Sequence, residues 1–219
     1  LMHNDGDGTF TDVIAGSDIS LHEDRHDQAW IDYDDDGDLD LWISVGGRGG
    51  AGEGPNELFR NNGDGTFTDV AADAGVDYPY GRGRGTAWLD YDLDGDLDLY
   101  LTGAESDVAP NALFQNNGDG TFTNVTDLLF VTSFTGAQSQ VSVADYDNDG
   151  DPDLFLTGNP TRLFRNDGSQ FTQVEDTAGV RIGGAQSAVW GDYDNDGHLD
   201  VYVARGAGRS FDYQGVSGN

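Results

Sequence analysis

Apolar and polar residues alternate in short segments along this chain, a pattern that predicts β-strands rather than helices. Residues 39–45 (LDLWISV) and 97–102 (LDLYLT) are apolar or aromatic at alternate positions and are bounded by Gly- or Asn-containing turns. In one repeat the pattern predicts strands at residues 86–89, 97–102, 111–115 and 121–125. Helical periodicity is nearly absent, and residues 70–75 predict a single helical turn after a strand.

Two motifs alternate along the chain and divide it into repeats. A turn motif, NxGDGTF, occupies residues 4–10, 61–67 and 116–122, and a shorter form occupies residues 166–171. An acidic motif, DYDxDGxxD, occupies residues 32–40, 90–98, 145–153 and 192–200, so its starts lie 58, 55 and 47 residues apart. This period suits a four-stranded propeller blade, with the acidic motif between strands one and two and the turn motif between strands three and four.

The fold class predicted from this pattern is all-β, a β-propeller of about four four-stranded blades in a single domain. Full blades are expected at residues 28–70, 86–126 and 139–175, half-blades at 1–13 and 185–204, and a tail at 205–219. The N-terminal hairpin is expected to complete the C-terminal blade, because each half-blade has the strands that the other lacks. Three arrangements remain open: closure within one chain, docking on a neighbouring chain to give a larger ring or filament, or a fragment of a longer propeller.

The net charge of the chain limits the classes of partner that it can bind. The formal net charge is −31, with 41 Asp and Glu against 10 Lys and Arg, so nucleic acid is a poor partner and cations are good ones. There is no cysteine, which excludes disulfides, thiol chemistry and zinc–cysteine sites. No apolar stretch approaches the roughly 18 residues that a membrane span needs, so no membrane insertion is expected.

The acidic motifs have the composition of calcium-binding loops. Ca²⁺ prefers six to eight oxygen ligands, and closely spaced aspartates on a tight loop bring several carboxylates to one point. By analogy with the EF-hand loop, positions 1, 3, 5 and 9 are predicted to bind through side chains and position 7 through its backbone carbonyl, with Gly at position 6 for a sharp turn. The candidate metal residues are Asp32, Asp34, Asp36, Asp38, Asp40, Asp90, Asp92, Asp94, Asp96, Asp98, Asp145, Asp147, Asp149, Asp151, Asp153, Asp192, Asp194, Asp196, His198 and Asp200.

Two other interpretations of these loops are less favoured. Four solvated polar turns would hold 20 of the 41 acidic residues in mutual repulsion without a cation. An EF-hand needs Glu at position 12, where the chain has Ile43, Leu101, Leu156 and Val203. Mg²⁺ is less suited than Ca²⁺ because it demands near-ideal octahedral geometry. The sequence therefore predicts about four structural Ca²⁺ ions.

The linked motifs resemble the FG-GAP and VCBS repeat family, which includes the cation-binding blades of integrin α-subunit propellers. The resemblance rests on the acidic and turn motifs and on the residues before each acidic motif, which are Trp30, Trp88, Val143-Ala144 and Trp190. It implies a β-propeller with calcium between the first and second strands of each blade. It also implies a secreted or cell-surface protein without enzymatic activity, with a structural or adhesive role, whose partner is a protein or glycan at the cell surface. The two half-blades make copies of the chain itself a further candidate partner.

Other signals point to alternative functions. Residues 22–26 (HEDRH) match the HExxH zinc-protease pattern, but they lie between predicted strands and are interpreted as a solvated loop. Tyr78, Tyr80, Arg82 and Arg84 form an aromatic and basic cluster that could bind a sugar or an acidic segment, but an inter-blade loop is the favoured interpretation. The alternatives to an interaction module are a head-to-tail filament subunit, a lectin-like propeller and, less favoured, a polysaccharide-degrading enzyme scaffold.

Overall fold

The structure is a computed structural model that describes residues 1–19, 25–45, 54–78, 85–103, 111–129 and 138–206. These residues form sixteen antiparallel strands, two single-turn helices and a 3-10 turn at Ile14–Gly16. Among them, no helix is long and apolar enough to cross a bilayer. The all-β fold class is therefore confirmed.

The strands form three four-stranded sheets and two two-stranded sheets, each with its strands paired in chain order. The N-terminal pair is β1 (Met2–Asn4) and β2 (Phe10–Asp12). Blade 1 is β3 (Arg25–Ile31), β4 (Asp40–Val45), β5 (Glu57–Asn61) and β6 (Phe67–Asp69), followed by α1 (Ala71–Ala74). Blade 2 is β7 (Thr86–Leu89), β8 (Asp98–Leu101), β9 (Ala112–Asn116) and β10 (Phe122–Asn124), followed by α2 (Thr126–Leu129). Blade 3 is β11 (Gln138–Ala144), β12 (Asp153–Gly158), β13 (Arg162–Asn166) and β14 (Phe171–Gln173), and the C-terminal pair is β15 (Ala185–Gly191) and β16 (Asp200–Arg205).

Consecutive sheets pack face to face, and the alternation of side chains along each second strand explains how. On β4, Trp42 packs into the core shared with blade 2, whereas its neighbour Ile43 packs towards the N-terminal pair. On β8, Leu99 packs back on blade 1 and Tyr100 packs forward on blade 3. Both faces of a central blade are thus buried, which gives the blade-on-blade packing of a propeller.

The two strand pairs at the ends do not complete one blade within the chain. The expectation that the N-terminal hairpin completes the C-terminal blade is not met in the described residues, where the two pairs are separate two-stranded sheets. Each pair instead packs on its neighbour in sequence: Leu1 contacts the core of blade 1, and β15 packs on β11 and β12. The sheets therefore pack in chain order: the N-terminal pair, blades 1, 2 and 3, and then the C-terminal pair.

The structure also bears on the other sequence signals. His26 lies in strand β3, so this end of the HExxH segment lacks the helix that would place two histidines on one face, and residues 22–24 lie outside the described residues. Tyr78 packs edge-on against Phe114, with ring centroids 5.6 Å apart, as part of the core between blades 1 and 2. Tyr80, Arg82 and Arg84 lie outside the described residues, as do residues 46–53 and 207–219.

Candidate metal centres in the acidic loops

Each acidic motif connects the first and second strands of its sheet, as predicted from the sequence. The loop backbone is held in two left-handed positions, one at the glycine of position 6 and one at position 4. In the second loop these are Gly95, with φ of 104°, and Leu93, with φ of 57°. The glycine accepts this conformation without strain, whereas a leucine there costs roughly 1–2 kcal/mol. The left-handed residue at position 4 had no counterpart in the sequence prediction.

The aspartates at positions 1 and 5 organise the loop through backbone hydrogen bonds. Asp90 accepts the N–H groups of Asp94 and Gly95, both at 3.0 Å, and Asp94 accepts the N–H of Asp96 at 3.0 Å. The third and fourth loops repeat all three bonds at 2.9 to 3.1 Å. These bonds curl the chain so that the carboxylates point to a common centre.

Carboxylate oxygens converge in all four loops. In each loop, three aspartates offer ligand atoms that lie within 4.8 Å of one another. The groups are Asp32, Asp34 and Asp36; Asp90, Asp92 and Asp94; Asp145, Asp147 and Asp153; and Asp192, Asp194 and Asp196. Three of these groups join positions 1, 3 and 5, and the third loop joins positions 1, 3 and 9.

Several of these oxygens are buried without a hydrogen-bond partner. Asp32 Oδ1, Asp34 Oδ1 and Asp92 Oδ1 are inaccessible to solvent and accept no hydrogen bond. An anionic oxygen that has lost its water without gaining a donor costs several kcal/mol. A bound dication removes that cost, and an all-oxygen donor set fits Ca²⁺ better than softer metals. The residues present therefore fit a calcium ion.

The aspartate at position 9 connects the acidic loop to the rest of its blade. Asp98 is fully buried, and its two oxygens accept the N–H groups of Tyr91 at 3.0 Å and Asn116 at 2.8 Å. The same two bonds recur at Asp40 and Asp153. Burial raises the pKa of Asp98 to about 7, and a nearby cation would favour its ionised form. Position 9 is thus a structural anchor as well as a ligand candidate.

The Asn that opens each turn motif is a site residue that the sequence analysis missed. Asn116 is buried, and its Nδ2 donates to the carbonyl of Leu97 at 3.3 Å and across the blade interface to the carbonyl of Tyr33 at 2.9 Å. Asn166 makes the same contact to the preceding blade, through the carbonyl of Tyr91, at 2.7 Å. The recurrence of Asn at this place in every turn motif was the signal that could have revealed it.

Position 7 contributes to the convergent groups in none of the four loops, and position 9 contributes only in the third. The side chains at position 7 are Asp38, Asp96, Asp151 and His198. The Asp96 carboxylate instead lies beside the turn motif of its own blade, where a Cβ at Gly118 would come within 2.8 Å of Oδ2. His198 faces the neighbouring loop, with Nδ1 3.2 Å from Asn148 Nδ2. A backbone role for position 7 stays a prediction.

Comparison with known proteins agrees with the repeat pattern. The model of the FG-GAP-like repeat matches residues 32–101, 90–156 and 155–203. No curated protein matches the chain. Among solved structures, the chain is similar to one described as the structural basis of recognition of non-reducing terminal N-acetylglucosamine by an Agrocybe aegerita lectin, with 17% identity, a TM-score of 0.42, and coverage of 91% of this chain and 67% of that chain. On the three repeat matches, which together span most of its length, the chain belongs to the FG-GAP-like repeat family.

Proposed function

We propose that this protein is a calcium-stabilised extracellular interaction module with a structural or adhesive role. Ca²⁺ binds in the four acidic loops and holds together the first and second strands of the three full blades and the two strands of the C-terminal pair. Its partners are a protein or glycan at the cell surface, or copies of the chain itself. The observation that carries the proposal is the set of buried, unpartnered aspartate oxygens in loops whose carboxylates converge.

Electrostatics supports a structural role for the ions. The chain has a formal net charge of −31, and each loop brings at least three carboxylates within 4.8 Å of one another. Such repulsion opposes folding unless cations neutralise it. Four dications would remove about a quarter of the net charge and place positive charge where the repulsion is greatest.

Saturation of the loops fits an extracellular setting. Sites of extracellular type have dissociation constants near 0.1 to 1 mM and fill only where free Ca²⁺ is about 1 mM. We infer a binding role rather than a catalytic one, because the convergent carboxylates serve as metal ligands. Family membership supports the proposed secreted or cell-surface location.

Thermal melting of the full chain with and without Ca²⁺ tests the proposal. A site with a dissociation constant near 0.1 mM at 1 mM Ca²⁺ contributes about 1.4 kcal/mol, so four sites contribute roughly 5 to 6 kcal/mol. Calorimetric titration should count about four ions, with Mg²⁺ binding more weakly. Equal melting temperatures in EDTA and in Ca²⁺ would overturn the proposal.

A matched pair of variants separates metal binding from general charge effects. Asp92→Ala removes a convergent carboxylate with a buried, unpartnered oxygen, whereas Asp127→Ala removes the same charge from an exposed position in α2. The first variant should lose one ion in the titration and the second none. Loss of an ion in both variants, or in neither, would contradict the assignment of the loop.

A further inference from the structure

Exposed apolar side chains are concentrated at the two incomplete sheets. Twelve large hydrophobic residues are exposed in the described part of the chain. Seven of them lie in or next to the N-terminal pair, in the C-terminal pair or its acidic loop, or on the first strand of blade 1. They are Met2, Phe10, Val13, Trp30, Val189, Tyr193 and Tyr202. Four of the other five are leucines within the acidic loops, and the fifth is Leu128. Clustered exposure of this kind marks an interaction surface.

The full blades show what should cover the C-terminal pair. Tyr202 has the same place on its strand as Trp42, Tyr100 and Phe155, which are each fully buried by the next sheet, yet Tyr202 is 73% exposed. Tyr193 has the place of Tyr33 and Tyr91 in their loops; these are 5% exposed, whereas Tyr193 is 80% exposed. Within the part of the chain that the structure describes, no sheet covers the face of the C-terminal pair that points away from blade 3.

The N-terminal pair shows the complementary deficiency. Phe10 closes its turn motif as Phe67, Phe122 and Phe171 close theirs, and these three are at most 8% exposed whereas Phe10 is 60% exposed. In blades 2 and 3 this phenylalanine packs on the loop tyrosine of the preceding blade: Tyr33 with Phe122 at 6.1 Å, and Tyr91 with Phe171 at 6.2 Å. Phe10 has no such tyrosine among the ring contacts of the described residues.

The hydrogen bonds of the fourth acidic loop are incomplete in the same way. In the other three loops, the position 9 aspartate accepts the N–H of a third-strand asparagine at 2.8 Å. Asp200 accepts the N–H of Tyr193 at 3.2 Å, but β16 has no third strand beside it in the described residues. Asn4 occupies the matching place in the N-terminal pair, and its Oδ1 accepts the N–H of Gly6 as the other turn motifs do.

We propose that the free edge of β16 binds the β1–β2 hairpin of a second copy of this chain. The register follows from the full blades, in which Trp42, Tyr100 and Phe155 oppose Leu58, Leu113 and Leu163. By the same register Tyr202 opposes Leu1 and Val201 opposes Met2 of the second copy. Asn4 of that copy donates its N–H to Asp200 and its Nδ2 to the carbonyl of Tyr146, and so completes the fourth acidic loop.

A second copy accounts for the exposed residues together. The two strands of the C-terminal pair and the β1–β2 hairpin of the second copy together form one four-stranded blade. This blade buries Met2 and Phe10 of the second copy against blade 3 of the first. It also places Tyr193 and Tyr202 of the first copy against blade 1 of the second, where Trp30 is exposed. In a pair of copies joined in this way, one copy still has a free β16 edge and the other still has a free β1–β2 hairpin. The contact is therefore heterologous, and further copies can add at either end. Within one chain the two pairs are separate sheets with three blades between them, which favours a second copy over closure on itself. The inference rests on the proposed function, since cations must neutralise two chains of charge −31 before they associate.

Disulfide trapping tests the register, and the absence of native cysteine makes it clean. Single-cysteine variants Met2→Cys and Val201→Cys, mixed in 1 mM Ca²⁺ under mild oxidation, should give a cross-linked dimer, because directly opposed Cβ atoms lie about 4.5 to 5.5 Å apart. A mixture of Met2→Cys with Leu128→Cys is the control and should not cross-link above background. The double variant Met2→Cys/Val201→Cys should give a ladder of multimers. A monomeric intrachain disulfide in the double variant, or no cross-link in the mixture, would overturn the proposal.

Sedimentation provides the second measurement. Phe10→Ser should weaken self-association by about tenfold, because each contact buries roughly half of a phenylalanine side chain. Leu128→Ser removes an apolar side chain that is even more exposed but lies outside the interface, and it should leave association unchanged. Equal effects of the two variants would refute the assigned surface. Calcium-dependent melting of the same samples reports the proposed function separately: if it persists while cross-linking fails, only the docking is wrong.

Discussion

Replacement of Asp98 by alanine should destabilise the protein even when calcium is absent. A residue that served only as a metal ligand would have no effect in EDTA. Asp98, however, is fully buried and accepts the N–H groups of Tyr91 and Asn116 at 3.0 and 2.8 Å. Asp98→Ala removes both acceptors and leaves two buried donors without partners.

The size of the effect follows from those two bonds. Each unsatisfied buried donor costs roughly 1–3 kcal/mol, so the variant should lose about 2–6 kcal/mol of unfolding free energy in EDTA. At about 2–4 °C per kcal/mol for a chain of this size, the melting temperature should fall by roughly 4–24 °C. In Ca²⁺ the loss of unfolding free energy should be larger, by the contribution of the ion in the second acidic loop, which is about 1.4 kcal/mol.

Urea unfolding and thermal melting in EDTA and in Ca²⁺ measure the two contributions separately. Asp96→Ala is the matched control, because Asp96 lies in the same loop but the two anchor bonds go to Asp98, and His198 occupies the position of Asp96 in the fourth loop. It should lose little stability in EDTA and retain most of the calcium affinity. If Asp98→Ala matched the wild type in EDTA, or if both variants lost the ion equally, the anchor role of position 9 would be wrong.

Three further predictions concern the interface, the pH dependence and the loop backbone. Asn116→Ala should cost about 1–3 kcal/mol in urea unfolding, because the carbonyl of Tyr33 loses its donor at the blade interface, whereas the exposed Asn117→Ala should cost much less. The folded-state pKa of Asp98 is raised to about 7, above the ordinary value of about 4 that it has in the unfolded chain. The contribution of Asp98 to the unfolding free energy in EDTA should therefore be highest below about pH 4 and should fall as the pH rises through about 7. The stabilisation by Ca²⁺ should therefore be greater at pH 8 than at pH 5, and melting scans at both values would show it; a flat profile in EDTA would contradict the raised pKa. Leu93→Asn should raise the unfolding free energy by about 0.5–1 kcal/mol, since asparagine tolerates the φ of 57° at this exposed position better than leucine does.

The sequence alone determined the local structure and the composition of the loops. Apolar alternation in segments such as residues 97–102 fixed the strands, because a period of two is a property of the extended chain itself. The recurrence of aspartate in the acidic motif indicated that carboxylates converge there, since a nine-residue loop brings near neighbours together whatever the rest of the fold does. Which of them converge, positions 1, 3 and 5 in three loops and positions 1, 3 and 9 in the third loop, was given only by the structure. The family also followed from these linked motifs.

Only the tertiary structure decided how the repeats meet. The anchor bonds from Asp98 to Asn116 join residues 18 positions apart, and the bond from Asn116 to Tyr33 spans 83 positions, so neither could be predicted from local spacing. The left-handed backbone at Leu93 was hidden because no glycine or asparagine marks it. The two end pairs are separate sheets because each packs on the sheet next to it in sequence, and this packing is a contact between faces that the sequence pattern does not specify. Burial of a face is decided by contacts between distant segments, and the alternation along a strand specifies only which side chains share that face.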